Sequence, residues 1–200
     1  MVMRSRKMGI LLRCGHSFTV LEAARLGVPR SLLSYHCRQG HLRRLCSGVY
    51  ESVDAEGFPY PVLEQLVKKG VDFVVCLLSA LQIHGFTTQL PTEFWVAMPQ
   101  GGTFPRLNSS PVSCVHLTES VYRSGVELKV LNGLEFKIYS PAKTVADCFK
   151  FRNKIGMDVA LEALRDGYRR KLFTIPELLQ EARVCRVERI LSPYIESLLP

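Results

Sequence analysis

The chain has 200 residues, of which 47% are hydrophobic, and a formal net charge of +8. That apolar content is ample for a packed core and argues against a disordered chain. The longest apolar run, 71–80, is interrupted by Asp72 and is too short for a bilayer span.

The charge is unevenly placed. Residues 1–53 hold nine Arg/Lys (Arg4, Arg6, Lys7, Arg13, Arg25, Arg30, Arg38, Arg43 and Arg44) against Glu22 and Glu51, a net of +7, while the remaining 17 basic and 16 acidic residues nearly cancel. A basic segment of this kind points to a polyanionic partner, because neutralising phosphates releases condensed counterions. The first residues are basic and then apolar, but Arg13 ends the apolar run well short of a signal-peptide core. They read instead as an amphipathic first helix, and the protein as cytoplasmic. Seven cysteines, an odd number with no Cys-x-x-Cys pair, read as small core residues in a reducing compartment. His36, Cys37, His41 and Cys46 match no common zinc-finger spacing, and neither metal nor cofactor is expected.

In chain order, Thr19 with Glu22 forms a capping box that starts a short helix, and Gly27 suits its left-handed stop. Pro29 suits the first turn of a second helix, which Gly40 closes. His41–Leu45 and Val49–Glu51 then flank Cys46-Ser47-Gly48 as a tight hairpin. Helix, short turn, helix and hairpin is the order of a winged helix-turn-helix. On the second helix, Leu32, Leu33 and His36 face inward, whereas Arg30, Ser31, Ser34 and Arg38 share the opposite face and suit base edges and phosphates.

Residues 53–61, with Gly57, Pro59 and Pro61, read as a linker, which divides the chain into a DNA-binding domain at 1–54 and an α+β effector domain at 55–200. The expected class is therefore α+β: a winged helix-turn-helix, then a mixed α/β domain with a small sheet and a helical C-terminal third. Helices are predicted from about Val62 to Lys69 and from Cys76 to His84. His84 reads as a cap or dipole partner of the second of these, which Gly85 stops. The stretch 71–75 is β-branched and reads either as a strand or as the approach to the next helix. Residues 93–99 and 113–117 are strand-like, and the loop between them carries Arg106. Ser140-Pro141 opens a helix, and 156–171 and 174–184 are two more, the latter with a second capping box at Thr174 and Glu177. A last helix, 186–199, is expected to bend or restart at Ser192-Pro193.

Residues 126–130 and 134–138 form a hairpin around Leu131-Asn132-Gly133. A two-residue Asn-Gly turn places Val130 opposite Glu135 and Lys129 opposite Phe136, which mixes apolar and charged positions. A three-residue loop separates the faces, pairing Glu127 with Lys137 and Lys129 with Glu135, and it is the expected register. Both Glu127-Leu-Lys129 and Glu135-Phe-Lys137 also match the Glu-x-Lys half of a metal-dependent nuclease site, which needs carboxylates converging on a divalent ion. With each carboxylate held by a cross-strand lysine, and with no Pro-Asp element on an upstream strand, a nuclease is the alternative and a DNA-binding module the preferred reading. An RNA-binding factor is a third possibility.

Three segments in this order resemble one family: Thr19, Glu22-Ala23, Gly27-Val28 and Leu33 leading to Arg44-Leu45 and Gly48-Val49-Tyr50; then Ser79–Gly85; then Tyr139–Asp147. Together they are similar to the AbiE-type (AbiEi) antitoxins, transcriptional regulators of bacterial phage-defence operons, over nearly the full length. The resemblance implies a winged helix that binds promoter inverted repeats in double-stranded DNA and represses its own operon. It further implies a C-terminal domain that counteracts a nucleotidyltransferase-like toxin without a stable complex, in a type IV toxin-antitoxin system. DNA contact then falls on Arg30, Ser31, Ser34 and Arg38 in the recognition helix and on Arg43 and Arg44 in the wing. Neither catalysis nor membrane association is implied.

Overall fold

The computed structural model describes residue 9 and residues 17–54, 58–86, 91–105, 107 and 111–198. The expected first helix and Arg106 lie outside the described residues. The chain divides into two compact units, Met1–Val71 with Pro105–Ser110, and Asp72–Phe104 with Pro111–Pro200. Together they make a mixed α/β protein of small sheets and helices.

In the N-terminal unit, strand β1 (Phe18–Thr19) runs into helix α1 (Val20–Arg25), followed by helix α2 (Arg30–Arg38), strand β2 (Leu42–Cys46) and strand β3 (Val49–Ser52). The predicted capping box is formed: the Thr19 hydroxyl accepts from the Glu22 N–H at 3.1 Å, and the Thr19 N–H donates to the Glu22 carboxylate at 2.6 Å. The three strands form one antiparallel sheet in the order β1-β3-β2, so the strand that precedes the helices closes on the far arm of the hairpin. Phe18 lies opposite Tyr50 and stacks on it, and Ala23, Val28, Leu33 and Leu42 complete a small core between helices and sheet.

Helix α3 (Pro61–Lys68) belongs to this unit. The expected boundary near residue 54 is therefore corrected to Val71. Polar ties that no periodicity announces account for the difference. The carboxylate of buried Glu64 accepts from the Ser17 N–H at 2.7 Å, and Lys68 forms a 2.7 Å ion pair with Glu22.

The C-terminal unit is built on a five-stranded mixed sheet in the order β6-β5-β4-β8-β7. Its strands are β4 (Val74–Val75), β5 (Phe94–Pro99), β6 (Val112–Leu117), β7 (Val126–Leu131) and β8 (Leu134–Tyr139). Residues 71–75 thus resolve into a two-residue strand at the centre of the sheet. Val75 pairs parallel with Ile138 and antiparallel with Val96, and Val74 and Val75 are fully buried, as a strand covered on both faces must be.

The helices of this unit are α4 (Leu77–His84), α5 (Glu119–Arg123), α6 (Pro141–Lys150), α7 (Arg152–Ile155), α8 (Met157–Arg169), α9 (Ile175–Cys185) and α10 (Glu188–Glu196). Of the two outcomes expected at Ser192-Pro193, a restart does not occur: helix α10 runs through Pro193, and the Ser192 hydroxyl donates to the Glu188 carbonyl at 2.8 Å. Helix α6 is the hub, with α4, α8 and α9 packed on it, and its residues 142–149 are all buried.

The β7–β8 register is the second correction. The strands pair from Val126↔Tyr139 to Leu131↔Leu134 around a two-residue Asn132-Gly133 turn, so Val130 does lie opposite Glu135 and Lys129 opposite Phe136. Asn132 and Gly133 both have positive φ, +47° and +79°, the type I′ geometry whose twist matches that of a hairpin. The expected three-residue register fails because its premise, that both strands bury alternate residues, holds only for β8. There Phe136, Ile138 and Tyr139 are buried, whereas Leu128 and Val130 of the edge strand β7 are 67% and 62% exposed.

Candidate nucleic-acid interface

Among the described residues, helix α2 is packed on one side. Leu33 is fully buried and Leu32 and Cys37 pack partly against the N-terminal core, while Arg30, Ser31, Ser34 and Arg38 are exposed. Ser34 turns its hydroxyl back to the Arg30 carbonyl of its own helix at 3.1 Å, leaving its lone pairs as the outward-facing capacity. Tyr35, which the sequence reading passed over, is 55% exposed and sits between Ser31 and Arg38 at helical spacing. Its spacing of four from Ser31 and three from Arg38 puts it on their exposed face, a signal the sequence already carried.

The hairpin places its two arginines differently. Arg43 lies opposite Glu51 in the ladder, and its guanidinium Nε binds the Glu51 carboxylate at 2.6 Å, with side-chain exposures of 56% and 2%. Arg43 thus neutralises a buried acid. Arg44 curls over the turn, donating to the Cys46 carbonyl and the Ser47 hydroxyl at 3.3 Å each, and has no acidic partner among the described residues. A register shift between Arg44 and Cys46 bends the strand there, and Gly48, at φ +81°, completes the turn.

At the C-terminal end of α2, His36 and His41 approach through their Nδ1 atoms at 3.2 Å. The contact needs one N–H and one lone pair, so it is incompatible with two imidazolium ions. Desolvation, followed by repulsion from His41, holds His36 below the ordinary imidazole range. Cys46 is buried in β2, and among the described residues no group of three or more His, Cys, Asp or Glu side chains is placed to hold a metal. At the start of α1, burial opposes ionisation of Glu22, but the bonds from Lys68 and Thr19 outweigh it and keep the carboxyl below its ordinary value. This anchors the helix pair from beneath.

In the C-terminal unit, the segments singled out by resemblance serve packing. Ser79 is buried and accepts from the Trp95 N–H at 2.8 Å, joining α4 to β5. His84 Nε2 meets the Tyr139 carbonyl at 2.8 Å, and Gly85, at φ +75°, ends α4 as expected. Ser140 caps α6 through the Lys143 N–H. Lys143 is wholly enclosed. Its ammonium lies 2.5 Å from Asp147 and 4.0 Å from the centre of the Tyr139 ring, and Asp147 also accepts from Cys185 at 3.2 Å. Desolvation works to discharge Lys143, but Asp147 reverses it and the lysine titrates above its ordinary value. Desolvation and then Asp147 push the Cys185 thiol up to about 12, which keeps its proton available for donation. Gly125 is required here: a Cβ at this residue, at φ +63°, would stand 2.5 Å from the Lys143 Cβ.

Glu127 and Glu135 do not converge. In the observed register Glu127 shares a face with Ile138, and Glu135 lies on the other face with Val130. The expected cross-strand Glu–Lys pairs are absent. Lys137 instead pairs with Asp72 at 2.7 Å, and Lys129 reaches the Ile83 carbonyl at 3.3 Å.

Comparison with known proteins bears first on the N-terminal unit. Residues 15–53 match the model of a family described as transcriptional regulator, AbiEi antitoxin. This segment contains α1, α2 and the hairpin, and the resemblance to AbiEi-type regulators rests on it. The chain is also similar in fold to the RV2827C protein from Mycobacterium tuberculosis, known from a crystal structure, with a TM-score of 0.61 at 13% identity over 100% of this chain and 83% of that one. No curated protein sequence matches it. Among the described residues no helix is long and apolar enough to cross a membrane.

Proposed function

We propose that the chain is a DNA-binding transcriptional repressor whose N-terminal unit works as a winged helix-turn-helix. Helix α2 enters the major groove and the β2–β3 hairpin serves as the wing. The observation that carries this reading is the outward face of α2, where Arg30, Ser31, Ser34 and Arg38 stand exposed on a helix anchored from behind by Leu33, inside the segment that matches the regulator family. Arg30 and Arg38 read base edges, with Tyr35 between them, and Arg44 binds phosphate. Arg43, paired to Glu51, contributes to DNA affinity chiefly by holding the wing. Further, the protein acts in the cytoplasm as the antitoxin of a type IV phage-defence system. It represses its own operon through promoter inverted repeats, and its C-terminal unit opposes a nucleotidyltransferase-like toxin without forming a stable complex.

Binding to the duplex upstream of its own gene and to a scrambled duplex, measured across a salt series, tests the regulator. Preference for the promoter is expected, with affinity falling steeply as salt rises. Equal affinity for both duplexes at every salt concentration would sink it. Co-expression with a nucleotidyltransferase encoded beside it tests the antitoxin: growth should be restored by the full chain and also by a variant lacking the α2 arginines. If only DNA-binding forms restore growth, protection works through repression alone.

A further inference from the structure

Among the described residues, strand β7 has β8 as its one neighbour, so its other side is an open sheet edge. Such edges are usually guarded by charge, proline or a bulge, because their free N–H and C=O groups invite pairing with another chain. β7 is regular through all six pairs with β8, contains no proline, and exposes Leu128 and Val130 by 67% and 62%.

The register determines which backbone groups are free. Beside a two-residue turn, Leu131↔Leu134 is a hydrogen-bonded pair, so Glu127, Lys129 and Leu131 direct their N–H and C=O groups to β8. The 2.7 Å bond from the Ser140 N–H to the Gly125 carbonyl continues the same alternation. Val126, Leu128 and Val130 therefore present theirs to the open edge.

The sequence along that edge, Val126-Glu127-Leu128-Lys129-Val130, complements itself when reversed. We propose that two copies of this chain pair their β7 strands antiparallel about a two-fold axis at Leu128, joining their five-stranded sheets into one. Leu128 then meets Leu128 of the second copy and Val126 meets Val130, each as a hydrogen-bonded pair, giving about six inter-chain N–H···O bonds. Glu127 meets Lys129 at the closer, non-hydrogen-bonded positions, once on each side of the axis. The contact is isologous and closed, so it stops at two copies. The apolar side chains left in water by the type I′ register are covered by their own counterparts. A five-residue ribbon buries less than the roughly 1,200–2,000 Å² of standard stable interfaces, so the dimer is a weak one in reversible exchange with monomer. The pairing requires nothing of the N-terminal unit, and DNA plays no part in its test.

Sedimentation equilibrium of the full chain, without DNA, decides the matter. The wild-type protein is expected to be a reversible dimer at tens of micromolar, and Leu128→Lys a monomer. Glu127→Lys and Lys129→Glu each set like charges against one another and are each expected to be monomeric. An equimolar mixture of these two variants restores both ion pairs and is expected to dimerise, as is the double variant E127K/K129E. A monomeric wild-type protein overturns the proposal, as do single charge variants that dimerise like wild type, or a mixture that stays monomeric while circular dichroism shows both variants folded. If either single variant fails to fold, a folded double variant decides instead, a dimer supporting the pairing and a monomer overturning it.

Discussion

Helices α2 and α6 begin alike, each with a proline at or beside its first residue, and each carries basic side chains, yet they use them in opposite ways. Helix α2 keeps Arg30 and Arg38 in water, whereas α6 encloses Lys143 with Asp147, Cys185 and the Tyr139 ring. A hydrated guanidinium, without a carboxylate partner among the described residues, can exchange water for a base edge or phosphate at small cost. A buried ammonium already bonded to a carboxylate has no such capacity, and removing its partner leaves an uncompensated charge in a low dielectric. The difference teaches that a basic residue within a family-like motif is not thereby a ligand-binding residue. Its burial decides.

The largest effect expected from breaking this contrast is in α6. Asp147→Ala should destabilise the protein by about 3–5 kcal/mol in denaturant unfolding, while Lys143→Met combined with Asp147→Leu should return it close to wild type. A small loss for Asp147→Ala would mean that water reaches Lys143. On α2, the change appears in binding and not in folding. Arg30→Ala or Arg38→Ala should cost about 1–3 kcal/mol on the preferred duplex and relax preference at one or two positions, with the unfolding transition unchanged. Uniform weakening on all sequences by both variants would assign them to phosphate and leave base reading to other residues.

Within the hairpin, the two neighbouring arginines should separate. Removing Arg43 strands the buried carboxylate of Glu51, a loss of about 1 kcal/mol in stability, the lower part of the usual range because Arg43 itself is half exposed. Arg44→Ala should leave stability alone, weaken all duplexes alike and reduce the salt slope by about one. The smallest effect concerns His36. Its folded value lies below the unfolded one near 6.5. The associated stability is therefore present above that pH and is lost as pH falls through the lowered folded value. Thermal unfolding between pH 7.5 and 5 should show a decline that His36→Gln reduces; an unchanged decline would place the titration elsewhere.

Much of this architecture is local and so was legible in one dimension. Thr19 with Glu22, and Thr174 with Glu177, satisfy orphan N–H groups within four residues, and Gly27, Gly40 and Gly85 stop helices because a left-handed residue is needed where they stand. The accumulation of positive charge before residue 54 and the outward position of Arg30, Ser31, Ser34 and Arg38 follow from composition and a period of 3.6. What only the tertiary structure decided depends on partners distant in sequence. Glu64 and Lys68 tie α3 to Ser17 and Glu22. Glu51 takes Arg43 out of the pool of free cations, and Asp147 with Cys185 encloses Lys143. The β7–β8 register was misread for the same reason: alternation in β7 carries information about the core only if that strand is covered, and its place at the sheet edge is a property of the whole sheet, set by β4 and β8 pairing across more than sixty residues of chain.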